Sequence, residues 1–297
     1  MRKRLLIRIL MVALLSEIAL AGLEINTTLM HYTYRIEGPT GKPNEVIYGT
    51  VFVMGIPDAN RPGKGQFVLI TAAHVLEGIS GETATINVRE KMADGKFQKV
   101  AHVLQIRKGK ESLWVRHPTV DVAVMKIDLP VFVSKQTEEI PIPSTDLLAD
   151  DKMMERFEIH PGDELLCLGY PFGMEANISG FSILRSGKIA SYPLTPAKDT
   201  KSFLFDFEVF NGNSGGPVYF VDKERRYGGT THIGETIQFV AGVVTEQRYY
   251  VQRSVNLIED QPERTRYEVN ENRERLRLAV VVPAHFIKET LDLLDKK

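Results

Sequence analysis

Short runs rich in Val, Ile, Phe and Thr recur along the chain at residues 46–54, 66–71, 83–88, 99–106, 113–116 and 120–127, with Gly, Pro, Asn and Asp between them. Runs of that length and composition predict β-strands. The pattern lapses between 129 and 162 and resumes at 165–170, 181–191, 202–209, 217–221, 237–245 and 277–282. Two series of short strands divided by a pause predict two all-β units of similar size, each a closed barrel or a sandwich. The chain thus divides into a leader at 1–21, an N-terminal unit with its linker at 22–150 and a C-terminal unit at 151–297. One helix is predicted, at the C-terminus. Pro283 suits a first helical turn, and Ile287, Leu291 and Leu294 recur at i, i+4 and i+7 as a stripe able to pack on a barrel wall. Two charged loops, 222–229 and 259–277, interrupt the second series; six acids and five arginines nearly cancel in the latter, which predicts a solvated insertion.

The leader has a different pattern. Met1-Arg2-Lys3-Arg4 precedes an apolar stretch that is clean from 9 to 15, and small residues stand at Ala19 and Ala21. A basic head, a short apolar middle and a small-x-small exit predict a secretory signal peptide cleaved near Ala21, hence an exported protein, periplasmic or secreted. The alternative is an uncleaved membrane anchor. Residues 5–21 are at the short limit for spanning hydrocarbon and carry Arg8 and Glu17, so cleavage is favoured and no stable membrane span is expected after it.

Composition changes this picture by exclusion. With 43% hydrophobic residues the chain is not disordered, and Lys+Arg 37 against Asp+Glu 38 leaves no basic excess for a nucleic-acid partner. A single cysteine, Cys167, excludes a disulfide framework, so stability has to come from packing. Its apolar neighbours, Leu166 and Leu168, predict a buried structural thiol.

The chemistry concentrates at Gly212-Asn213-Ser214-Gly215-Gly216-Pro217. Glycines on either side of a serine let the backbone aim several N–H groups at one point while the hydroxyl projects from the same turn. Converging donors beside a hydroxyl are the parts of an oxyanion hole next to a nucleophile, with the donors assigned to the amides of Gly212 and Ser214. Serine needs a positioned base. Among seven histidines, His74 closes the apolar run 67–74 behind the small Ala72 and Ala73. Asp121 stands at the head of Val122-Ala123-Val124, where a carboxylate is costly unless paired. An imidazole N–H is a suitable partner, and that bond fixes the tautomer so that the other ring nitrogen faces the serine.

Thr71-Ala72-Ala73-His74-Val75, Asp121-Val122-Ala123-Val124 and Gly212-Asn213-Ser214-Gly215-Gly216-Pro217, in the order His, Asp, Ser, resemble the three signature segments of trypsin-like serine peptidases. Leu168-Gly169-Tyr170-Pro171, Arg185-Ser186-Gly187-Lys188-Ile189 and Val281-Val282-Pro283 are similar to the bacterial, disulfide-free members, related to the Deg-type proteases. The resemblance implies two antiparallel six-stranded β-barrels with a C-terminal α-helix, and a His74–Asp121–Ser214 triad in the cleft between them. It implies a serine endopeptidase acting on protein or peptide substrates with no cofactor or metal. Animal relatives carry an Asp where Asn213 stands, and an uncharged side chain cannot form their activating ion pair, so removal of the leader is not by itself the switch. Deg-type proteases append peptide-binding modules, and a protease domain without one is expected here. By the same resemblance Glu208, Thr245 and Gln247 wall the primary substrate pocket, and Glu208 facing inward implies cleavage after Lys or Arg. Competing readings are a catalytically silent binding protein on the same fold and a housekeeping protease with chaperone character.

Overall fold

In the computed structural model, which describes residues 24–58, 65–128, 141–261 and 264–296, the strands form two large antiparallel sheets and one two-stranded ribbon. The first half runs α1 (Ile25–Tyr32), β1 (Thr33–Pro39), β2 (Val46–Pro57), β3 (Gly65–Thr71), α2 (Ala73–Gly78), β4 (Thr83–Lys91) and β5 (Phe97–Gln105). A small β6 (Arg107–Lys108) and β7 (Glu111–Ser112) ribbon, β8 (Trp114–Arg116) and β9 (Ala123–Ile127) complete it. These strands, β6 and β7 apart, hydrogen-bond in the order β5-β4-β1-β2-β3-β9-β8. The six strands expected from the pattern are present, joined by β1, which makes the sheet seven-stranded, and its end strands β5 and β8 are not paired in that order. The pattern misses β1 because its buried large apolar side chains are just Tyr34 and Ile36, alternating with the half-buried Arg35 and Glu37, an alternation too short to stand out. It misses α1 for a similar reason. That helix is two turns long, buries Ile25, Leu29 and Tyr32 on one face, and is capped by the Glu24 carboxylate, which accepts from the amides of Asn26 and Thr27.

The second half contributes α3 (Asp151–Arg156), β10 (Glu164–Gly169), β11 (Ile183–Ile189), α4 (Ala197–Thr200), β12 (Phe203–Asp206), β13 (Pro217–Tyr227), β14 (Thr230–Gln261), β15 (Arg264–Pro283) and α5 (Ala284–Leu294). Here the sheet is a closed six-stranded barrel in the order β10-β11-β12-β15-β14-β13. The molecule is mostly β with a terminal helix, as the residue pattern implied. Pro283 is the N-cap of α5 rather than part of its first turn, and Ile287 and Leu294 are buried with Leu291 packed beside them.

The charged segments are not loops. Residues 222–229 continue β13 into β14 through Gly228-Gly229, whose positive φ values of 58° and 76° fit the tight primed turn of a two-residue hairpin. Residues 259–261 and 264–277 lie on the paired ends of β14 and β15, where Arg253 faces Glu271 across the ladder and joins it at 3.3 Å. Opposite charges on facing strands stabilise an exposed ribbon that a count of net charge cannot distinguish from an irregular insertion.

Two apolar cores hold the sheets. One lies under the first sheet and extends to Leu168, Tyr219, Val240, Val282 and the inner face of α5. The other fills the barrel with Leu165, Cys167, Phe205, Val218, Phe239 and Val281. Each such side chain contributes roughly 1.5–3 kcal/mol on full burial. The first core reaches across to the outer wall of the barrel, so the chain segments that turn between the sheets are fixed from both sides. Among the described residues no helix is long and apolar enough to cross a membrane, and the leader at 1–21 lies outside them.

Candidate active site

Three turns converge where the sheets meet. The first follows β3. Thr71 donates its hydroxyl to the Thr50 carbonyl at 2.7 Å, the fully buried Ala72 and Ala73 allow a sharp change of direction, and His74 sits in the first turn of α2. His74 is therefore on a helix and not at a strand end, the strand having ended at Thr71.

The second turn carries Asp121, in a bend just before β9 and not inside a strand. The Val122 amide donates to the Val120 carbonyl at 3.1 Å, and the His117 amide donates to the Val122 carbonyl at 2.9 Å. His117 is buried. Its Nδ1 lies 3.3 Å from the amides of Thr119 and Val120 and accepts from them, so the ring proton is on Nε2, which meets the Glu289 carboxylate of α5 at 3.1 Å. The terminal helix thus braces the turn that holds Asp121. Burial alone raises the Asp121 carboxyl, but hydrogen bonds from His74 and the charges of His74 and Arg116 outweigh it and hold it below the ordinary carboxylate range.

Asp121 grips His74 twice. Oδ1 accepts the His74 backbone N–H at 3.0 Å, and Oδ2 lies 2.5 Å from ring Nδ1. Two bonds to one carboxylate fix both the backbone and the plane of the imidazole, leaving Nε2 free on the other side.

The third turn precedes β13. Gly212 has φ of 97° and is the third residue of a turn closed by the Asn213 amide on the Phe210 carbonyl at 3.0 Å. A positive φ at that position is the mark of a type II turn and calls for glycine. The surrounding carbonyls all have partners: Asn211 O accepts from the Phe172 amide at 2.6 Å, Gly212 O from the Thr50 hydroxyl at 2.6 Å, and Ser214 O from the Thr50 amide at 2.8 Å. Gly215, with φ of 89°, lies so close to Thr50 O and the Thr71 hydroxyl that a Cβ has no room. Among the described residues the amides of Gly212 and Ser214 have no such partner. Both residues line a groove of about 370 Å³ together with His74, Val75, Tyr48 and Asn211.

The sequence-derived residues are thus only partly assembled. His74, Asp121, Gly212 and Ser214 come together. The Ser214 hydroxyl donates to the Thr245 carbonyl at 3.1 Å instead of to His74, so a side-chain rotation separates this arrangement from one in which Nε2 takes its proton. Bonds of this kind are often loose until substrate is bound. Glu208, Thr245 and Gln247 are not among the residues lining the groove. Thr245 donates its own hydroxyl to Val280 O at 3.3 Å. Gln247 is buried, and among the described residues its side-chain amide has no partner. Glu208 lies 4.0 Å from Arg277, while its carbonyl accepts from Arg185 at 2.6 Å. Residues that the sequence did not single out include Thr50, Tyr48 and Phe172. No local signal marks the first two, which lie within an expected strand; the third directly follows the Leu168-Gly169-Tyr170-Pro171 segment.

The molecule is mostly β, with His74 and Ser214 lining one groove and Asp121 bound to His74, and its family places it in the class of serine-type hydrolases. The family of the trypsin-like peptidase domain matches residues 62–226, more than half of the chain and an interval that contains all three side chains. The chain belongs to that family. Solved structures similar to it include the active form of the protease Rv3671c from M. tuberculosis, 19% identical over 92% of this chain and 85% of that one, with a TM-score of 0.42. Others are the thermostable serine protease AL20 from an extremophilic microorganism, 9% identical over 90% and 98% with a TM-score of 0.46. The protease Anisep from Arthrobacter nicotinovorans is 12% identical over 91% and 98%, with a TM-score of 0.46. A search of curated proteins finds no match.

Proposed function

We propose that the protein is an exported serine endopeptidase that cleaves peptide bonds through an acyl-enzyme, with Ser214 as nucleophile, His74 as general base and then general acid, and Asp121 as the group that orients and stabilises the imidazolium. The observation that carries this reading is the double hold of Asp121 on His74, with His74 and Ser214 lining one groove. In the first step the Ser214 oxygen attacks the substrate carbonyl as its proton passes to His74 Nε2. The carbonyl π electrons move to oxygen, where the amides of Gly212 and Ser214 stabilise the charge. Collapse expels the amine, which takes the proton from His74. Water then attacks the acyl-serine with His74 again as base, releasing the acid and restoring the hydroxyl. Glu208 is the candidate for recognising a basic side chain in the substrate, in competition with Arg277. The basic head and small-x-small exit of residues 1–21 support export, with a mature N-terminus following Ala21. A peptide-library digest tests the proposal: the wild-type protein is expected to cleave internal bonds and Ser214→Ala to leave them intact, whereas equal cleavage by both, or none by either, refutes it.

A further inference from the structure

The groove that holds His74 and Ser214 is larger than those two side chains need. Its wall also includes Val75, Thr40, Glu45, Val46 and Ile47, the last four from the turn between β1 and β2 and the start of β2. Glu208, Thr245 and Gln247, assigned from the sequence to the pocket for the residue before the cleaved bond, do not line it. The groove is therefore open to the other half of the substrate. That half leaves as an amine protonated by His74, so the chain it heads departs past the imidazole and its neighbour Val75.

Strand β2 leads from this point to a charge. Gly49 lies so close to the Val75 side chain that a Cβ has no room, and Ser214 O is beside it. From Gly49 back to Glu45 the chain covers roughly 14 Å if extended. The side chains of a glutamate and of a substrate lysine or arginine close much of that distance, which leaves one or two residues of extended substrate. Among the described residues lining the groove, Glu45 is the one carboxylate, and no lysine or arginine lines it. Its backbone is pinned, the Thr40 amide donating to Glu45 O at 3.2 Å and the Glu45 amide to Lys42 O at 3.3 Å. Lys42 Nζ lies 3.3 Å from the carboxylate, but the two side chains are 78% and 50% exposed. An ion pair so exposed is weak, and a substrate cation can take the place of Lys42.

We infer that Glu45 selects substrates with lysine or arginine in the first two residues after the cleaved bond. The inference rests on the proposed roles of Ser214 and His74 and concerns the opposite side of the bond from the one assigned to Glu208. An amine that attacks the acyl-enzyme retraces the path of the leaving amine, so acceptor peptides read this part of the groove alone. The protein is acetylated by p-nitrophenyl acetate in the presence of the dipeptide amides Arg-Ala and Ala-Arg or their citrulline counterparts, in which a neutral urea of similar shape replaces the guanidinium. The acceptor nitrogen bonds to the acetyl carbon as the bond from that carbon to Ser214 Oγ breaks, and the amine proton passes through His74 to the serine. Water competes and gives acetate. The ratio of acetylated peptide to acetate is measured by liquid chromatography and mass spectrometry, with Ser214→Ala as background.

In wild-type protein arginine is expected to exceed citrulline in this ratio by about two- to fivefold at one or both positions, the range of an ion pair at a partly exposed site. In Glu45→Gln the two are expected to be equal, and in Lys42→Ala the preference is expected to widen. Equal use of arginine and citrulline at both positions by wild type, or a preference that survives in Glu45→Gln, overturns the inference. Lys42→Ala keeps the test valid should Glu45→Gln not fold, since an unchanged or narrower preference there also overturns it. Wild-type protein that is not acetylated at Ser214 instead overturns the reading of Ser214 itself, which separates the two failures.

Discussion

Thr50 offers the sharpest test of how the Ser214 loop is held. It lies on β2, buried, and bonds to the loop twice, through its hydroxyl to Gly212 O at 2.6 Å and through its amide to Ser214 O at 2.8 Å. Thr50→Val deletes the first bond and leaves shape, β-propensity and the second bond in place. The Gly212 carbonyl then stays buried without a donor, which costs about 1–3 kcal/mol. At about 2–4 °C per kcal/mol for proteins of this size range, the melting temperature is expected to fall by several degrees. Turnover is expected to fall as well, because Gly212 is released on its carboxyl side, by about 3- to 30-fold, short of the loss from removing an oxyanion donor altogether. Thermal unfolding followed by circular dichroism and p-nitrophenyl acetate turnover measure the two effects. Thr50→Ser, which keeps the hydroxyl, is expected to recover most of the turnover. A valine variant with wild-type turnover and melting temperature would refute the reasoning, as would a serine variant as impaired as valine, since the methyl group would then be what matters.

Other consequences follow from the same geometry. Asp121→Asn keeps the shape but donates where the carboxylate accepts, so peptide hydrolysis is expected to fall on the order of 10⁴-fold. Because the Asp121 carboxyl is held below its ordinary value of 3.8, its contribution to stability is present above that pH and lost as the pH falls through the lower folded value. The Asn variant should therefore show a shallower acid limb in urea unfolding below pH 4, and an unchanged limb would contradict the assignment. Burial and the charges of Arg89 and Lys91 lower His31 to about 4 between the rings of Phe97 and Phe181. The unfolded chain takes up this proton first, so stability is lost as the pH falls from about 6.5 toward 4, and His31→Phe is expected to flatten that decline by about one proton in the slope of unfolding free energy against pH. Arg277→Ala frees Glu208, and given the exposure of the pair its expected effect is only about two- to fivefold in kcat/KM for Lys or Arg over neutral residues before the cleaved bond; no change in that ratio would remove Glu208 from the pocket.

The strands that carry apolar side chains in alternation are plain in the sequence, and so is the terminal helix, because Ile287, Leu291 and Leu294 mark one face. The glycines around Ser214 are equally plain, since only a residue without Cβ fits at Gly212 and Gly215. What the sequence hides depends on partners far along the chain. His74 reads as the end of a strand because nothing local shows that Thr71 bonds to Thr50 and ends the ladder. Thr50 reads as one more β-branched strand residue, although its hydroxyl meets Gly212, 162 positions away. The 259–277 segment reads as a loop because cross-strand pairing of Arg253 with Glu271 depends on register, which net charge does not encode. Glu208 reads as a wall of the substrate pocket because nothing local marks its approach to Arg277, distant in sequence.

The central claim is that His74, Asp121 and Ser214 act as one unit, and it is tested most directly by mapping the adduct left by diisopropyl fluorophosphate. Peptide mass spectrometry of the treated protein is predicted to find a single modification, on Ser214, that is absent when His74→Ala is treated in the same way. Modification elsewhere, or equal modification of Ser214 with and without His74, would contradict the account.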